Sequence, residues 1–162
     1  MTDEEFERLA RAYGDAVFRV AYHALGRRAD AEDVTQTVLL KLYRAEKLFE
    51  SDAHAKHWLL RVALNESRRL MRAPWRARVV PLEDFDAPAA PSDERSDVLD
   101  AVMALDAKYR VCVYLYYYEG YSVREIAAAL NTKESTVQTR LSRARERLKQ
   151  TLSDEKEATD CV

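Results

Sequence analysis

The sequence predicts an all-α protein: two small helical domains joined by an acidic, proline-containing linker, the C-terminal one a helix-turn-helix. Three observations carry that prediction. Glycine and proline are scarce, three and four residues of 162, while Ala, Leu, Arg and Glu abound; that balance favours helices over many short strands. Apolar residues recur at steps of three and four on both sides of residues 79–96. Between those residues the prolines Pro81, Pro88 and Pro91 stand among small and acidic side chains, the composition of a linker. The expected division is a domain at 1–78, a linker at 79–96, a domain at 97–152 and a tail at 153–162.

The first helix is read over residues 3–25, where Phe6, Leu9, Ala10, Tyr13, Val17, Val20, Ala21 and Leu25 form one stripe and Gly26 supplies the stop. Asp30-Ala31-Glu32-Asp33 opens a second helix, with Asp30 as N-cap candidate and acids suited to the helix dipole. Val34, Val38 and Leu42 continue it. A loop near Phe49–Asp52 precedes a third helix from about Ala55 to Arg72, with Trp58, Leu59, Val62 and Ala63 as core candidates and Pro74 beyond its end.

After the linker, helices are expected at about 97–104, 106–119, 123–130 and 133–151. The run Tyr114–Tyr118 has the local propensity of a strand. Val111, Leu115 and Tyr118 nevertheless share a helical face, and no partner strand is evident, which favours a helix.

The net charge of −2 hides a strong pattern. Residues 56–78 hold seven Lys/Arg against Glu66, a balance of +6, and residues 79–100 hold seven Asp/Glu against Arg95, a balance of −6. Residues 101–152 carry +4 and the tail −3. Each basic block suits phosphates, while the whole molecule should bind DNA poorly by itself.

No run reaches the ~18–20 apolar residues of a membrane span. Met1-Thr2-Asp3-Glu4-Glu5 is acidic where a secretory signal is basic and then apolar. The expected location is the cytoplasm, with no membrane insertion. Cys112 and Cys161 lie far apart and outside any C-x-x-C, which favours a buried thiol and an exposed tail thiol over a disulfide or a metal site.

Two constellations carry chemistry. Ser122-Val123-Arg124-Glu125 is a capping box opening a short helix with Ile126, Ala127 and Leu130 on its apolar face, and Asn131 tolerates the turn that follows. Short helix, tight turn and longer helix are the parts of a helix-turn-helix. In the longer helix Val137, Leu141, Ala144 and Leu148 face a core, while Thr136, Arg140, Arg143 and Arg147 repeat the same steps on another face, suited to a major groove. Alone, such a stripe more often is a solvated basic surface; the capped helix and turn ahead of it favour DNA. The third helix has a second sorted face, Arg61, Asn65, Arg68 and Arg72 with Arg69 beside them, which suits backbone or unpaired bases and equally a solvated surface. Phe49 reads as a platform for an extruded base or as core. Asp33 and Gln36 are three apart on an exposed face of the second helix, available to a basic or polar partner.

These residues resemble a known family. Asp30-Ala31-Glu32-Asp33-Val34-Thr35-Gln36 resembles the "DAEDxxQ" element of extracytoplasmic-function sigma factors, and Trp58-Leu59-Leu60-Arg61-Val62-Ala63-Leu64-Asn65 is similar to their "WLxxIAxN" helix. Ser122-Val123-Arg124-Glu125-Ile126-Ala127 and Ser135–Arg145 are similar to their "EIA…TVKSRLxRAR" signature. The resemblance spans about residues 5–150. It implies a promoter-recognising subunit that binds core RNA polymerase and promoter DNA and is neither an enzyme nor cofactor-dependent. Asp33 and Gln36 would bind the β′ clamp helices, and the Phe49–Asp52 loop would capture a flipped base of the minus-ten element. Asn65, Arg68, Arg69 and Arg72 would hold and help melt that DNA. Ser135, Thr136, Thr139, Arg140 and Arg143 would read or clamp the minus-thirty-five element, with their domain seated on the β flap. The linker would thread a polymerase channel, and an anti-sigma factor is a further candidate partner. The sequence departs from the family pattern at Leu39 (commonly Phe), Arg69 (usually Asp), Gln138 (usually Lys) and Ser135 (usually Gly), and again at Thr132 and Lys133. The first turn of the recognition helix therefore transfers least.

Three rivals remain. A stand-alone helix-turn-helix regulator explains residues 106–150 but leaves the N-terminal motifs unused. An enzyme would have to be built on His54 and His57, an i, i+3 pair with no visible third ligand. An interaction-only helical protein would not require two basic faces.

Overall fold

The computed structural model describes residues 1–73 and 97–160, and the expected linker lies outside them. The chain divides into two compact units, Met1–Asp86 and Ala87–Val162.

The first unit is a bundle of α1 (Asp3–Leu25), α2 (Arg28–Tyr43) and α3 (Asp52–Met71), each packed on the other two. Thr2 caps α1 by accepting from the Glu5 amide at 3.2 Å. Gly26 ends it in the left-handed region, φ 74°, with its N–H on the Tyr22 carbonyl, a conformation that costs a residue with Cβ but not glycine. Leu9, Val17 and Val20 of α1 meet Val34, Val38 and Leu42 of α2 and Leu59, Leu60 and Leu64 of α3 in a core closed to solvent. Emptying any one leucine site to alanine costs about 2–5 kcal/mol.

Three local expectations are corrected. Helix α2 starts at Arg28 with Arg27 as its cap residue, so Asp30 lies inside the first turn and pairs with Arg27 at 3.7 Å instead of capping. Helix α3 starts three residues earlier than expected, because Ser51 accepts the His54 amide at 3.1 Å and fixes the start there. Its buried stripe includes Leu60 and Leu64, whereas Trp58 and Val62 are half-buried at its edge.

The second unit contains α4 (Asp97–Met103), α5 (Ala107–Val113), a π-helical turn at Tyr114–Tyr118, α6 (Val123–Leu130) and α7 (Glu134–Asp160). Helix α7 packs against α4, α5 and α6. The tyrosine run is helical as expected but not a uniform α-helix. The Glu119 amide skips one residue to reach the Tyr114 carbonyl at 3.1 Å, and Tyr121 reaches Leu115 at 2.9 Å. Stacking of Tyr118 on Tyr114, 5.2 Å between centroids, and a 2.5 Å bond from the Tyr114 hydroxyl to Glu119 accompany the wider turn. Leu115 stays in the core while Tyr117 and Tyr118 emerge.

Helix α7 runs nine residues past the expected end at 151. Residues 152–160 contain no Gly or Pro, and Leu152, Glu155, Lys156 and Glu157 are good helix formers, so nothing stops propagation. Cys112 is a buried free thiol, as expected; Cys161 lies outside the described residues. Among the described residues no helix is long and apolar enough to cross a membrane.

Candidate nucleic-acid interface

The second unit builds a helix-turn-helix from three local devices. Ser122 accepts the Glu125 amide at 3.1 Å and starts α6. Asn131 ends it with φ 50° and ψ 51°, the left-handed conformation that asparagine tolerates better than most residues. The Thr132 amide then bonds the Ala127 carbonyl at 3.0 Å, and α7 starts two residues later. Val137, Leu141 and Ala144 seat α7 on the core, which fixes its rotation and decides which side chains face outward.

All five residues expected to meet the minus-thirty-five element come together. Ser135, Thr136, Thr139, Arg140 and Arg143 line one cleft of about 270 Å³, completed by Lys108 and Tyr109 of α5. Ser135, Thr139 and Arg143 are exposed, and Thr136 and Arg140 are half-buried. Thr139 donates to the Ser135 carbonyl at 2.9 Å, which pins its rotamer and leaves oxygen lone pairs outward. Arg140 stands half-buried close to the buried Cys112 thiol. Burial raises that thiol above the ordinary range, and Arg140 partly opposes the rise.

One residue of the predicted basic stripe turns away. Arg147 reaches Asp106 at 3.8 Å and lies over the Tyr109 ring at 5.1 Å, so it braces α7 against α5. Lys108 enters the cleft in its place. The sequence reading gave Lys108 no role, since only the fold shows that the first turn of α5 abuts the first turns of α7.

In the first unit Asn65, Arg69 and Arg72 are exposed along α3, with Arg68 half-buried among them. Glu66 lies on the neighbouring face, paired with Lys41 of α2 and 3.7 Å from Arg69. Phe49 is half-buried ahead of α3, its ring 5.6 Å from His54 and 5.5 Å from Trp58. It anchors the loop, while Leu48 beside it is 80% exposed. His54 is occupied there too: its Nδ1 accepts the Glu50 amide at 3.4 Å. Among the described residues no group of three or more His, Cys, Asp or Glu stands close enough to hold a metal.

Asp33 and Gln36 are both exposed on α2. Their face continues into Leu40 and Tyr43, 48% and 57% exposed, at steps of four and three. The spacing 33, 36, 40, 43 is present in the sequence, but nothing in the sequence marks Leu40 and Tyr43 as members of the Asp33–Gln36 face. Fold context separates Val38 and Leu42, which are buried, from Leu40, which is not.

Comparison with known proteins matches both units to one family. Residues 9–77 match the family described as Sigma-70 region 2, and residues 95–148 match Sigma-70, region 4. The chain is 33% identical over 158 residues to the RNA polymerase sigma-E factor of Streptomyces coelicolor, covering 91% of this chain and 86% of that one. It is 31% identical over 159 residues to the ECF RNA polymerase sigma factor SigE of Mycolicibacterium smegmatis, covering 91% of this chain but only 62% of that longer relative. Among solved structures, the sigma factor RpoE of Bartonella quintana, crystallised with the anti-sigma factor NepR, matches with a TM-score of 0.72 and 26% identity. That match covers 93% of this chain and 98% of that one.

Proposed function

The chain belongs to the extracytoplasmic-function sigma factors of the sigma-70 family, and from that premise we propose how its surfaces divide the work. It is not an enzyme. It directs core RNA polymerase to promoters, and chemistry is left to the polymerase. Residues 1–78 serve core binding and the minus-ten element, 79–96 link, 97–152 serve the minus-thirty-five element, and 153–162 form a tail. Asp33 and Gln36 hold the β′ clamp helices, and Asn65, Arg68, Arg69 and Arg72 grip minus-ten DNA behind the Phe49 loop. The second unit rests on the β flap while Ser135, Thr136, Thr139, Arg140 and Arg143 read the duplex. The workplace is the cytoplasm. An anti-sigma factor is a fitting regulator, since RpoE of Bartonella quintana was crystallised with one.

The observation that carries this division is the convergence of five hydroxyl and guanidinium side chains of α7 in one cleft. The Ser135 and Thr136 hydroxyls and the arginines supply donors for phosphate oxygens, Thr139 offers an acceptor, and arginine adds a bidentate match to guanine. The acidic 79–100 block and the net charge of −2 work against tight DNA binding by the free chain. Core polymerase must therefore bind first. Gel filtration with core enzyme, followed by promoter-fragment binding with and without core, tests this order. Co-elution with core and DNA binding only in its presence is the expected outcome. Tight, sequence-specific operator binding by the isolated chain, with no association with core, would establish a stand-alone regulator instead.

A further inference from the structure

We propose that the cleft between α5 and α7 seats one backbone phosphate of the minus-thirty-five duplex, with Lys108 of α5 as a DNA contact outside the helix-turn-helix. The inference rests on the reading of α7 as the DNA-facing helix and adds a residue that no sequence motif marks.

The lining supplies three cations from two separate elements, Lys108 from α5 and Arg140 and Arg143 from α7. Among the described residues it includes no carboxylate to neutralise them. Ser135, Thr136 and Thr139 line the same cleft with hydroxyls. Thr139 has already given its hydrogen to the Ser135 carbonyl, so the hydroxyl donors left for a ligand are those of Ser135 and Thr136. Cations with such donors around a concave site are what a phosphodiester oxygen requires, and they carry no base preference.

Each cation is held in a different way. Arg140 is half-buried, its charge close to the buried Cys112. Lys108 is exposed, with its ammonium 5.1 Å from the centre of the Tyr109 ring, and Tyr109 is itself only 3% exposed. The buried ring forms a fixed platform at the cleft edge. Arg147 lies over the same ring and is matched by Asp106, whereas among the described residues no carboxylate pairs with Arg143. The fold therefore spends one arginine of α7 on bracing and brings a lysine of α5 toward DNA.

The test uses holoenzyme reconstituted from core polymerase and the full chain. The probe is a promoter duplex enriched from a randomised library by the wild-type holoenzyme, and binding is followed across about 50–200 mM salt. Loss of one phosphate contact reduces the slope of log affinity against log salt by about 0.9. Lys108→Ala is expected to give that reduction and to weaken all enriched sequences alike; Lys108→Arg should restore it. Lys149→Ala, outside the cleft on α7, should leave the slope unchanged. Circular dichroism confirms that each variant keeps its helix content. An unchanged slope in Lys108→Ala, with a reduced slope in Arg143→Ala, overturns the inference alone. Unchanged slopes in both overturn it together with the assignment of α7 to DNA.

Discussion

Arg147 lies 3.8 Å from the Asp106 carboxylate and 5.1 Å from the centre of the Tyr109 ring, although its sequence position continues the Arg140–Arg143 stripe. One turn of α7 thus separates an arginine that lines the candidate DNA cleft from one that ties α7 to α5. Arg147 is about half-exposed, so its ion pair is largely screened, and pair and ring contact together contribute up to about 1 kcal/mol. Arg147→Ala should lower the unfolding free energy by that amount and leave the salt slope of holoenzyme–promoter binding unchanged. Arg143→Ala should do the reverse. Denaturant unfolding and salt titration of both variants check the pair, and a slope reduced equally by both would return Arg147 to the DNA face.

On α2, Asp33 and Gln36 are exposed polar groups at the head of a stripe that continues into Leu40 and Tyr43. Replacing Asp33 and Gln36 together with alanine removes a charge and an amide from that surface without touching the core. Core affinity is expected to fall at least about tenfold, or ~1.4 kcal/mol, with circular dichroism unaltered. Surface plasmon resonance against immobilised core measures it, and unchanged affinity would remove these two residues from the polymerase interface.

Phe49 packs on His54 and Trp58, so truncating it loosens the loop ahead of α3. A half-buried ring loses less than the ~3–5 kcal/mol of a fully buried one, and about 1–2 kcal/mol is expected for Phe49→Ala. Leu48→Ala, at an exposed position, should change stability by no more than about 0.5 kcal/mol. Equal stability losses in the two variants would mean that Phe49 does not anchor the loop.

The Cys112 thiol is raised from its ordinary value of 9.0, chiefly by burial. In the unfolded chain it ionises near that value, so the fold favours the protonated form. The stability it contributes is complete below about pH 9 and is lost as pH rises through the raised folded value. The Tyr121 phenol is raised also, mainly by burial, and adds a loss of the same sign at higher pH. Cys112→Ala should therefore lose less stability than the wild type between about pH 8 and pH 10. Parallel decline in the two proteins would show that the thiol is not shielded.

The helices were legible because their signals are local. The Ser122 cap, the Gly26 stop, the left-handed Asn131 and the Val137–Leu141–Ala144 stripe each lie within a few residues, and each stands where its pattern placed it. The misplacements arise where one position admits two local answers. Asp30 has the chemistry of a cap, but a helix that starts at Arg28 already contains it. Ser51, just ahead of the expected start of α3, supplied a cap that the sequence reading passed over. The π turn could not be read from spacing, because it inserts a residue without disturbing which side chains are apolar. Lys108 and Arg147 exchange roles through contact between α5 and α7, which are far apart in sequence. No periodicity within either helix carries that information.

As a sigma factor, this chain should make core polymerase start at promoters it otherwise ignores. Core enzyme with and without the chain, transcribing a pooled library of randomised promoter sequences, tests that claim most directly when the transcript 5′ ends are sequenced. Discrete start sites that depend on the chain are expected, preceded by two enriched sequence blocks and lost in the Asp33→Ala/Gln36→Ala double variant. An identical set of start sites with and without the chain would contradict that expectation.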